Sequence, residues 1–246
     1  MELQIIGTGS KGNAYILSNG DEALLIECGV NIKDIKKALN FDLSKVVGCI
    51  CTHEHFDHSK SIYDVMKLGI DMYASQGTLE KRFVFSLPRA TMIKSKQTVQ
   101  IGNFKVMAFD VKHDAAEPLG FLIEHQDCGK VLFLTDTYYC EYTFNGLNNI
   151  IIEANYSKEI IDRKFGADSG KEFLRNRILK SHFSLANCKD MLSANDLSKV
   201  NNIVLIHLSD SNSDEKKFQK EVAELTGKNV TVASNGMKIK FGKTPF

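Results

Sequence analysis

Residues 51–61, CTHEHFDHSKS, combine three histidines and an aspartate within six positions. His53 and His55 are two residues apart, and Asp57 and His58 follow after one intervening residue. Imidazole and carboxylate are ligands that suit zinc, manganese and iron. In an extended loop His53 and His55 project to the same side and can bind one ion, whereas Asp57 and His58 can face a second ion as the chain turns into a helix. The spacing therefore predicts a site for two divalent metal ions.

Such a pair of ions would supply hydrolytic chemistry. Ions about 3.5–4 Å apart can share a bridging hydroxide, because metal coordination lowers the pKa of bound water to about 7. This hydroxide is a nucleophile for phosphate esters or acyl bonds. We therefore expect a hydrolase in which the metal-bridging hydroxide attacks the substrate and Asp57 belongs to the catalytic centre.

Metal-ligand residues also end other apolar runs of the sequence. Glu27 follows LLI, His113 follows VMAFDVK, Asp136 follows VLFLT and His207 follows NIVLI. A metal site needs ligands that converge from separate elements, and neighbouring strands end close together at one edge of a sheet. The pattern therefore predicts that these four residues meet the histidine segment at one sheet edge.

The elements that must position these residues are mostly short strands. Runs of β-prone residues alternate with turns rich in Gly, Asn and Asp. Helices are predicted over residues 31–39, capped by Asn31, over 61–69, ending at Gly69, and within roughly 157–197. Because helices interrupt the strands twice, in two similar halves, we expect an α/β fold. It would be a four-layer αββα sandwich, two mixed β-sheets with helices outside, in a single domain over residues 1–246.

Composition narrows the class of function. The net charge of +1 excludes a uniformly basic nucleic-acid binder, but it leaves room for local basic patches at residues 81–96 and 163–180. The sequence lacks a signal-peptide pattern and an apolar run of the roughly 20 residues that cross a bilayer. The six cysteines form no CxxC pair and are predicted to be buried thiols. We therefore expect a soluble, cytoplasmic protein without a membrane partner.

The motifs as a set resemble a known family. THEHFDHS is the signature of the metallo-β-lactamase fold, and the order of the other motifs is similar to the branch that contains the YycJ/WalJ (VicX-type) exonucleases. The resemblance covers almost the whole chain, through GTGSKGNAYIL, HDAAEPLGF, FLTDT, IIEANYS, SHFSLANC and IHLSDSN. It implies the αββα sandwich and a centre of two divalent ions, Zn²⁺ or Mn²⁺, with Fe as a further candidate.

The resemblance also implies a role for each ligand. The first ion would be held by His53, His55 and His113, the second by Asp57, His58 and His207, and both by a bridging Asp136. The chain departs from the superfamily pattern at Glu27, where Asp is usual. That residue normally orients the ligand loop by hydrogen bonds. Because glutamate is one methylene longer, Glu27 either supports the loop with a different partner or is a solvated strand end.

His182, in KSHFSLANC, is the candidate general acid for the leaving oxygen of a phosphate ester. It follows a basic helix and precedes a second helix. In phosphodiesterases of the superfamily that the chain resembles, an extra histidine in this region contacts the scissile phosphate. The alternative is that His182 caps a helix or packs in the core. The one other histidine outside the metal set, His125 in EHQDCGK, is predicted to lie at the surface in a hairpin turn.

Contacts to a substrate are predicted in three places. Ser10 and Asn13 belong to the Gly-rich turn GTGSKGN, which presents donors to a phosphate, orders the metal site or is simply a hairpin turn. Asn155 follows a strand near the same edge. Lys171 and Arg175 are four residues apart on one predicted helix face, a spacing suited to tracking a nucleic-acid backbone.

Together these features predict a dinuclear-metal-dependent phosphodiesterase. The expected activity is that of a DNA exonuclease, with DNA rather than RNA as partner and a role in DNA repair or metabolism that the resemblance implies. The sequence has no Trp and no aromatic-rich RNA motif, so it does not favour recognition by base stacking. The alternatives are a ribonuclease, a thioesterase or lactonase acting on a small molecule, and a non-catalytic metal-binding regulatory module.

Overall fold

The computed structural model describes residues 1–165 and 172–244. Its strands are β1 (Glu2–Gly7), β2 (Ala14–Ser18), β3 (Ala23–Ile26), β4 (Val46–Ile50), β5 (Met72–Ala74), β6 (Ala90–Met92), β7 (Thr98–Ile101), β8 (Phe104–Asp110), β9 (Leu119–His125), β10 (Gly129–Leu134), β11 (Leu147–Glu153), β12 (Asn202–Ile206), β13 (Asn229–Val232) and β14 (Lys238–Lys240). Its helices are α1 (Ile32–Ala38), α2 (Phe56–Ser59), α3 (Ile62–Lys67), α4 (Gln76–Lys81), α5 (Lys158–Lys164), α6 (Glu172–Ser181), α7 (Leu185–Ser193) and α8 (Glu215–Thr226).

The described strands form two sheets of seven. The first has the order β14-β1-β2-β3-β4-β5-β6, and the second has the order β13-β12-β11-β10-β9-β8-β7. In the first sheet β1, β2 and β3 pair antiparallel, whereas β3 to β6 pair parallel. In the second sheet β7 to β10 pair antiparallel, whereas β10 to β13 pair parallel. Each sheet is therefore mixed, with an antiparallel part and a parallel part.

The apolar side chains alternate between two environments along the strands. In β3, Leu24 packs between the two sheets, whereas Leu25 packs in the cluster that also contains residues of α1, α3 and α4. In β11, Ile151 packs between the sheets, and Ile150 packs in the cluster shared with α7 and α8. Because successive strand residues point to opposite faces, both faces of each sheet are buried. This arrangement confirms the predicted αββα sandwich.

The helices agree with the local sequence signals. Asn31 precedes α1, and its side-chain oxygen accepts a hydrogen bond from the backbone N–H of Lys33 at 3.0 Å, as an N-cap residue does. The helix predicted over 61–69 is observed as α3, and Gly69 follows it with a positive φ of 88°. The helix-rich segment predicted over about 157–197 contains α5, α6 and α7.

The topology brings six strand ends to one side of the sandwich. β3 and β4 run parallel, as do β10, β11 and β12, and β8 is antiparallel to β9, which is antiparallel to β10. The carboxyl ends of β8, β10, β11 and β12 therefore meet at one edge of the second sheet, opposite those of β3 and β4. Ligands in α/β proteins bind at such carboxyl ends.

Three residues just beyond these strand ends have a left-handed backbone. The φ angles are 63° at Glu27, 44° at Asp136 and 53° at His207. Non-glycine residues adopt this conformation at a cost, and such residues concentrate at functional sites. The sharp turns therefore mark the edge at which the predicted ligands should meet.

Other predictions from the sequence concern cysteines and the membrane. All six cysteines are free thiols, and five of them are buried. Among the helices described in residues 1–165 and 172–244, none has the length and apolarity needed to span a bilayer. A single domain and a cytoplasmic location stay predictions.

Candidate metal centre

A cavity of about 470 Å³ opens at the shared strand ends. The structure brings all seven of the ligands predicted from the sequence to its wall: His53, His55, Asp57, His58, His113, Asp136 and His207. They come from the loop after β4, from α2 and from the residues after β8, β10 and β12. Both sheets therefore contribute to one site.

The first group of donors contains His53, His55 and His113, whose candidate ligand atoms lie within 4.8 Å of one another. Nε2 of His113 is 3.1 Å from Nδ1 of His55. The buried Nε2 of His53 has no hydrogen-bond partner among the described residues. A buried polar atom without a partner is costly, so this free nitrogen fits a metal ligand.

The rings of this group are oriented by contacts on their other nitrogens. Nδ1 of His113 donates to the carbonyl oxygen of Ser181 at 2.7 Å. In a neutral ring this leaves the lone pair on Nε2, the nitrogen that faces His55. Nδ1 of His53 lies 2.9 Å from the hydroxyl oxygen of Thr52. Such contacts behind the ligands are typical of histidine metal sites.

The second group contains Asp57, His58 and His207, again with candidate ligand atoms within 4.8 Å. Oδ2 of Asp57 lies 3.6 Å from Nε2 of His58 and 3.4 Å from Nε2 of His207. Oδ2 of Asp136 lies 2.6 Å from Nε2 of His58, and Asp136 also forms a group with His58 and His53. Asp136 therefore lies between the two groups.

The electrostatics of the site also fit bound cations. Burial opposes ionisation of Asp136, but His207 and His58 outweigh it and hold the pKa of this carboxyl well below its usual value. Burial likewise opposes the imidazolium of His58, but Asp136 and Glu27 raise the pKa of His58 to about 10. A cluster of buried carboxylates therefore favours positive charge here, which is the charge that a divalent ion would supply.

The loop that carries the histidines is held close to the start of the chain. The backbone N–H of Asn13 donates to the carbonyl oxygen of Asp57 at 2.7 Å, and Nδ2 of Asn13 lies 3.2 Å from Nε2 of His58. A Cβ atom on Gly29 would overlap the carbonyl oxygen of Asp57, so only glycine permits this approach. Asn13 therefore contacts the metal loop, whereas Ser10 is exposed and lines the cavity.

Glu27 is completely buried behind the same loop. Its carboxylate accepts from the backbone N–H of Thr52 at 3.3 Å, and Oε1 lies 3.5 Å from Nδ1 of His58. The second separation is an ion-pair distance, and Nδ1 of His58 makes no aligned hydrogen bond within the described residues. Glu27 is thus in contact with both the loop and the ring of His58, and it is not a solvated strand end.

His182 lies immediately after α6 at the wall of the cavity, with a quarter of its side chain exposed. Its Nδ1 is 2.8 Å from both Oδ1 of Asp136 and Oε1 of Glu153. Burial disfavours the imidazolium, but Glu153 and Asp136 outweigh this effect and raise the pKa of His182 to about 9. The ring is therefore positioned by two carboxylates next to the donor groups.

Glu153 was missed by the sequence reasoning. It is fully buried, and its Oε1 lies 3.3 Å from Nδ1 of His207, while Oε2 accepts from the backbone N–H of Phe183 at 3.0 Å. Glu153 ends the apolar strand NIIIE, which is the same signal that identified Asp136 and His207. The rule that found those residues would have found Glu153 as well.

The candidate substrate contacts have different surroundings. Nδ2 of Asn155 donates to the carbonyl oxygen of His207 at 2.7 Å, and Asn155 also lines the cavity. The guanidinium of Arg175 is ion-paired with Asp162 at 2.6 Å and does not line the cavity. Arg177, two residues further along α6, does line it. Lys171 lies outside the described residues.

The prediction that His125 lies at the surface is wrong. His125 is the last residue of β9, its exposed fraction is 2%, and its Nε2 lies 2.9 Å from Oε1 of Glu22. Its ring also packs against Phe104, with 4.7 Å between ring centroids. The turn begins only after His125, so the side chain still follows the inward direction of the strand.

Comparison with known proteins agrees with this site. A family model described as Beta-lactamase superfamily domain matches residues 23–208. The chain is 25% identical over 247 residues to "Exodeoxyribonuclease YycJ" of Bacillus anthracis, covering 92% of this chain and 89% of that protein. It is 27% identical over 238 residues to "Exodeoxyribonuclease WalJ" of Streptococcus pneumoniae, covering 90% of this chain and 85% of that protein.

Among solved structures, the metallo-β-lactamase fold protein YhfI from Bacillus subtilis superposes with a TM-score of 0.71. It is 15% identical, and the match covers 97% of this chain and 99% of that protein. The family model, the relatives and the shared fold all agree with the resemblance seen in the motifs. The chain belongs to the family of β-lactamase superfamily domains, and it is a metal-dependent hydrolase with the metallo-β-lactamase fold.

Proposed function

We propose that this hydrolase is a dinuclear phosphodiesterase that acts as a DNA exonuclease. The observation that carries the proposal is the contact of His182 with Asp136, the carboxylate between the two donor groups. A hydrolase of phosphodiesters needs a proton for the leaving oxygen in addition to its metal ligands. The names of the two relatives, both exodeoxyribonucleases, support DNA as the substrate.

The donor groups fit two divalent ions. His53, His55 and His113 would hold the first, Asp57, His58 and His207 the second, and Asp136 would contact both. Zinc and manganese suit this set, and iron also binds imidazole and carboxylate. When bound, such ions would supply Lewis-acid chemistry that polarises a phosphoryl oxygen and makes water acidic enough to react near neutral pH.

The remaining steps belong to side chains of this protein. Nδ1 of His182 donates to the carboxylates of Glu153 and Asp136, which fixes the ring and leaves Nε2 to deliver a proton to the departing oxygen. Asp57 is partly exposed to the cavity and would orient the attacking water. Glu27 and Asn13 hold the ligand loop in place.

Binding of the substrate would involve the rim of the cavity. Ser10 offers a hydroxyl, and Arg177 offers an exposed guanidinium to a phosphate. We assign to Arg177 the phosphate contact that the sequence predicted for Arg175, because the guanidinium of Arg175 is already bound by Asp162. Lys171 as a phosphate contact stays a prediction.

The direct test is hydrolysis of labelled single- and double-stranded DNA and RNA by the purified protein with added Mn²⁺ or Zn²⁺. We expect metal-dependent release of nucleotides from DNA, with an affinity that falls as salt is raised. Turnover of a thioester or lactone panel without cleavage of any nucleic acid would contradict the proposal. Cleavage of RNA alone would contradict DNA as the substrate but would support the phosphodiesterase reaction. Because the chain is a hydrolase, the alternative of a non-catalytic module is not retained.

A further inference from the structure

An exposed aromatic side chain lies at the wall of the metal cavity. Phe56, the residue before Asp57, lines the cavity, yet its exposed fraction is 61%. Nζ of Lys60 lies 5.6 Å from the centroid of its ring, and the guanidinium carbon of Arg82 lies 5.8 Å from it. Phe56 therefore presents an apolar face between two cations, at the entrance to the proposed catalytic centre.

The same combination is repeated one helix further on. Tyr63, in α3, has an exposed fraction of 49%, and Nζ of Lys67 lies 4.5 Å from the centroid of its ring. Phe56, Lys60, Tyr63 and Lys67 follow one another at intervals of four, three and four residues. The interval of four residues brings each aromatic ring next to its own lysine. We call Phe56, Lys60, Tyr63, Lys67 and Arg82 the aromatic–cation track.

The cations of this track are not neutralised by carboxylates. Lys60, Lys67 and Arg82 form no ion pair with any acidic residue in the described part of the chain, although Asp64 is exposed nearby in sequence. The buried Nε of Arg82 also lacks a hydrogen-bond partner among these residues. By contrast, Arg89, in the middle of the basic segment 81–96, is paired with Asp71 at 2.8 Å. The track therefore carries unpaired positive charge beside two exposed rings.

A ligand that matches this surface needs flat rings and negative charge at regular intervals. Single-stranded nucleic acid has both, because its bases are free to stack on aromatic side chains while its phosphates approach cations. The bases of an intact duplex are already stacked and paired, so they are not available to Phe56 and Tyr63. The surface is continuous with the cavity, since Phe56 belongs to both.

We infer that a single strand of nucleic acid lies along the aromatic–cation track and enters the metal cavity past Phe56. One base stacks on Phe56 and another on Tyr63, while Lys60, Lys67 and Arg82 contact phosphates. The inference rests on the proposed function, because it assigns the path by which the strand of a phosphodiester substrate reaches the centre. It also makes an unpaired end or a single strand the preferred form of substrate.

The inference is tested by binding of a fluorescent single-stranded oligodeoxynucleotide with phosphorothioate linkages, which resist hydrolysis, to the metal-loaded protein. We expect Phe56→Leu and Tyr63→Leu each to weaken binding about tenfold, because each removes one stacked base. Lys60→Gln and Lys67→Gln should each lower the slope of log affinity against log salt by about 0.7. Phe41→Leu, at an exposed phenylalanine that does not line the cavity, should bind like the parent protein.

A second measurement separates this inference from the proposed function. For each variant, kcat/KM is measured on single-stranded DNA and on bis(p-nitrophenyl) phosphate, a small diester for the cavity, which Tyr63 does not line. The kcat/KM for single-stranded DNA divided by that for bis(p-nitrophenyl) phosphate should fall at least about tenfold in the double variant Phe56→Leu/Tyr63→Leu. Thermal unfolding of the variants checks that they are folded.

The possible outcomes test the aromatic–cation track and the proposed function separately. If the parent protein cleaves DNA and the double variant binds and cleaves single strands equally well, the track is overturned and the proposed function stands. If the parent protein cleaves no nucleic acid, the proposed function is overturned. Loss of oligonucleotide binding in the double variant would, even then, support the track as a single-strand surface.

Discussion

Oε1 of Glu153 lies 2.8 Å from Nδ1 of His182, although the two residues are separated by 29 positions in the sequence. The carboxylate is fully buried at the end of β11, whereas the imidazole is at the cavity wall. The second oxygen of Glu153 accepts from the backbone N–H of Phe183, the residue after His182. One buried carboxylate thus fixes both the ring and the backbone of the proposed proton donor.

Replacement of His182 by alanine should separate proton donation from metal binding. We expect His182→Ala to lower kcat on DNA about 10²–10⁴-fold, because the leaving oxygen of a nucleotide needs a proton. The loss on bis(p-nitrophenyl) phosphate should be much smaller, because p-nitrophenolate is stable as an anion. The metal content of both proteins must be equal by elemental analysis. An equal loss on both substrates would show that His182 does not donate a proton.

Replacement of Glu153 by glutamine keeps the size of the side chain and removes its charge. We expect Glu153→Gln to lower kcat on DNA about tenfold, since the ring of His182 loses the carboxylate that fixes it. At equal metal content, the double variant Glu153→Gln/His182→Ala should be no slower than His182→Ala alone, because Glu153 acts on the proton step through His182. Steady-state kinetics on the four proteins give the coupling. Multiplied effects in the double variant would contradict this relationship.

Glu27 should matter for metal affinity rather than for the proton step. Glu27→Gln removes the negative charge that faces Nδ1 of His58 and weakens the hold on the loop at Thr52. We expect affinity for the more weakly bound ion to fall about 10–100-fold, which a competitive titration with a chelating dye measures. Glu2→Gln, at a half-exposed carboxylate paired with Lys238, is the matched control and should leave affinity unchanged. Unaltered affinity in Glu27→Gln would mean that the carboxylate only fills space.

The buried contact between Glu22 and His125 should make stability depend on pH. Burial opposes ionisation of Glu22, but hydrogen bonds from Asn103 and His125 outweigh it and lower the pKa of Glu22. A carboxyl with a lowered pKa stabilises the fold above its unfolded pKa, near 4.3, and this contribution is lost as pH falls through the folded value. We therefore expect Glu22→Gln to lower the free energy of unfolding by about 1–3 kcal/mol at pH 7.

The measurement is urea unfolding of parent and variant at pH 7 and at successively lower pH. The difference in unfolding free energy between the two proteins should shrink as the medium becomes more acidic, because the parent carboxylate is then protonated as well. Titrating groups that do not contact residue 22 affect both proteins equally and cancel in the difference. A difference in unfolding free energy that stays constant down to pH 3 would contradict a lowered pKa of Glu22.

The convergence of the ligands was predictable because it depends on topology alone. His113, Asp136 and His207 each follow an apolar strand, and the carboxyl ends of these strands meet at one edge. The αββα layers were predictable for a similar reason, because strand and helix periodicities are local. Glu153 obeys the same rule, because it too ends an apolar strand, β11.

Side-chain direction and partner choice could not be predicted in the same way. His125 faces inward because Glu22, more than a hundred residues earlier, accepts from its ring. Arg175 is bound by Asp162 on α5 and does not line the cavity, whereas Arg177, on a different face of α6, does. Phe56 and Tyr63 are not an aromatic-rich motif in the sequence, and only the fold places Arg82 next to Phe56. Each outcome depends on a contact between distant segments.

The order of the ligands along the chain has a consequence for synthesis on the ribosome. The donors of the first proposed ion are complete once Asp136 has been added, but those of the second require His207, which follows β12. A nascent chain that has not yet emerged past residue 207 therefore cannot assemble both halves of the centre. The order of the candidate ligands along the chain therefore makes the proposed two-ion centre complete only after β12 and His207 have been synthesised.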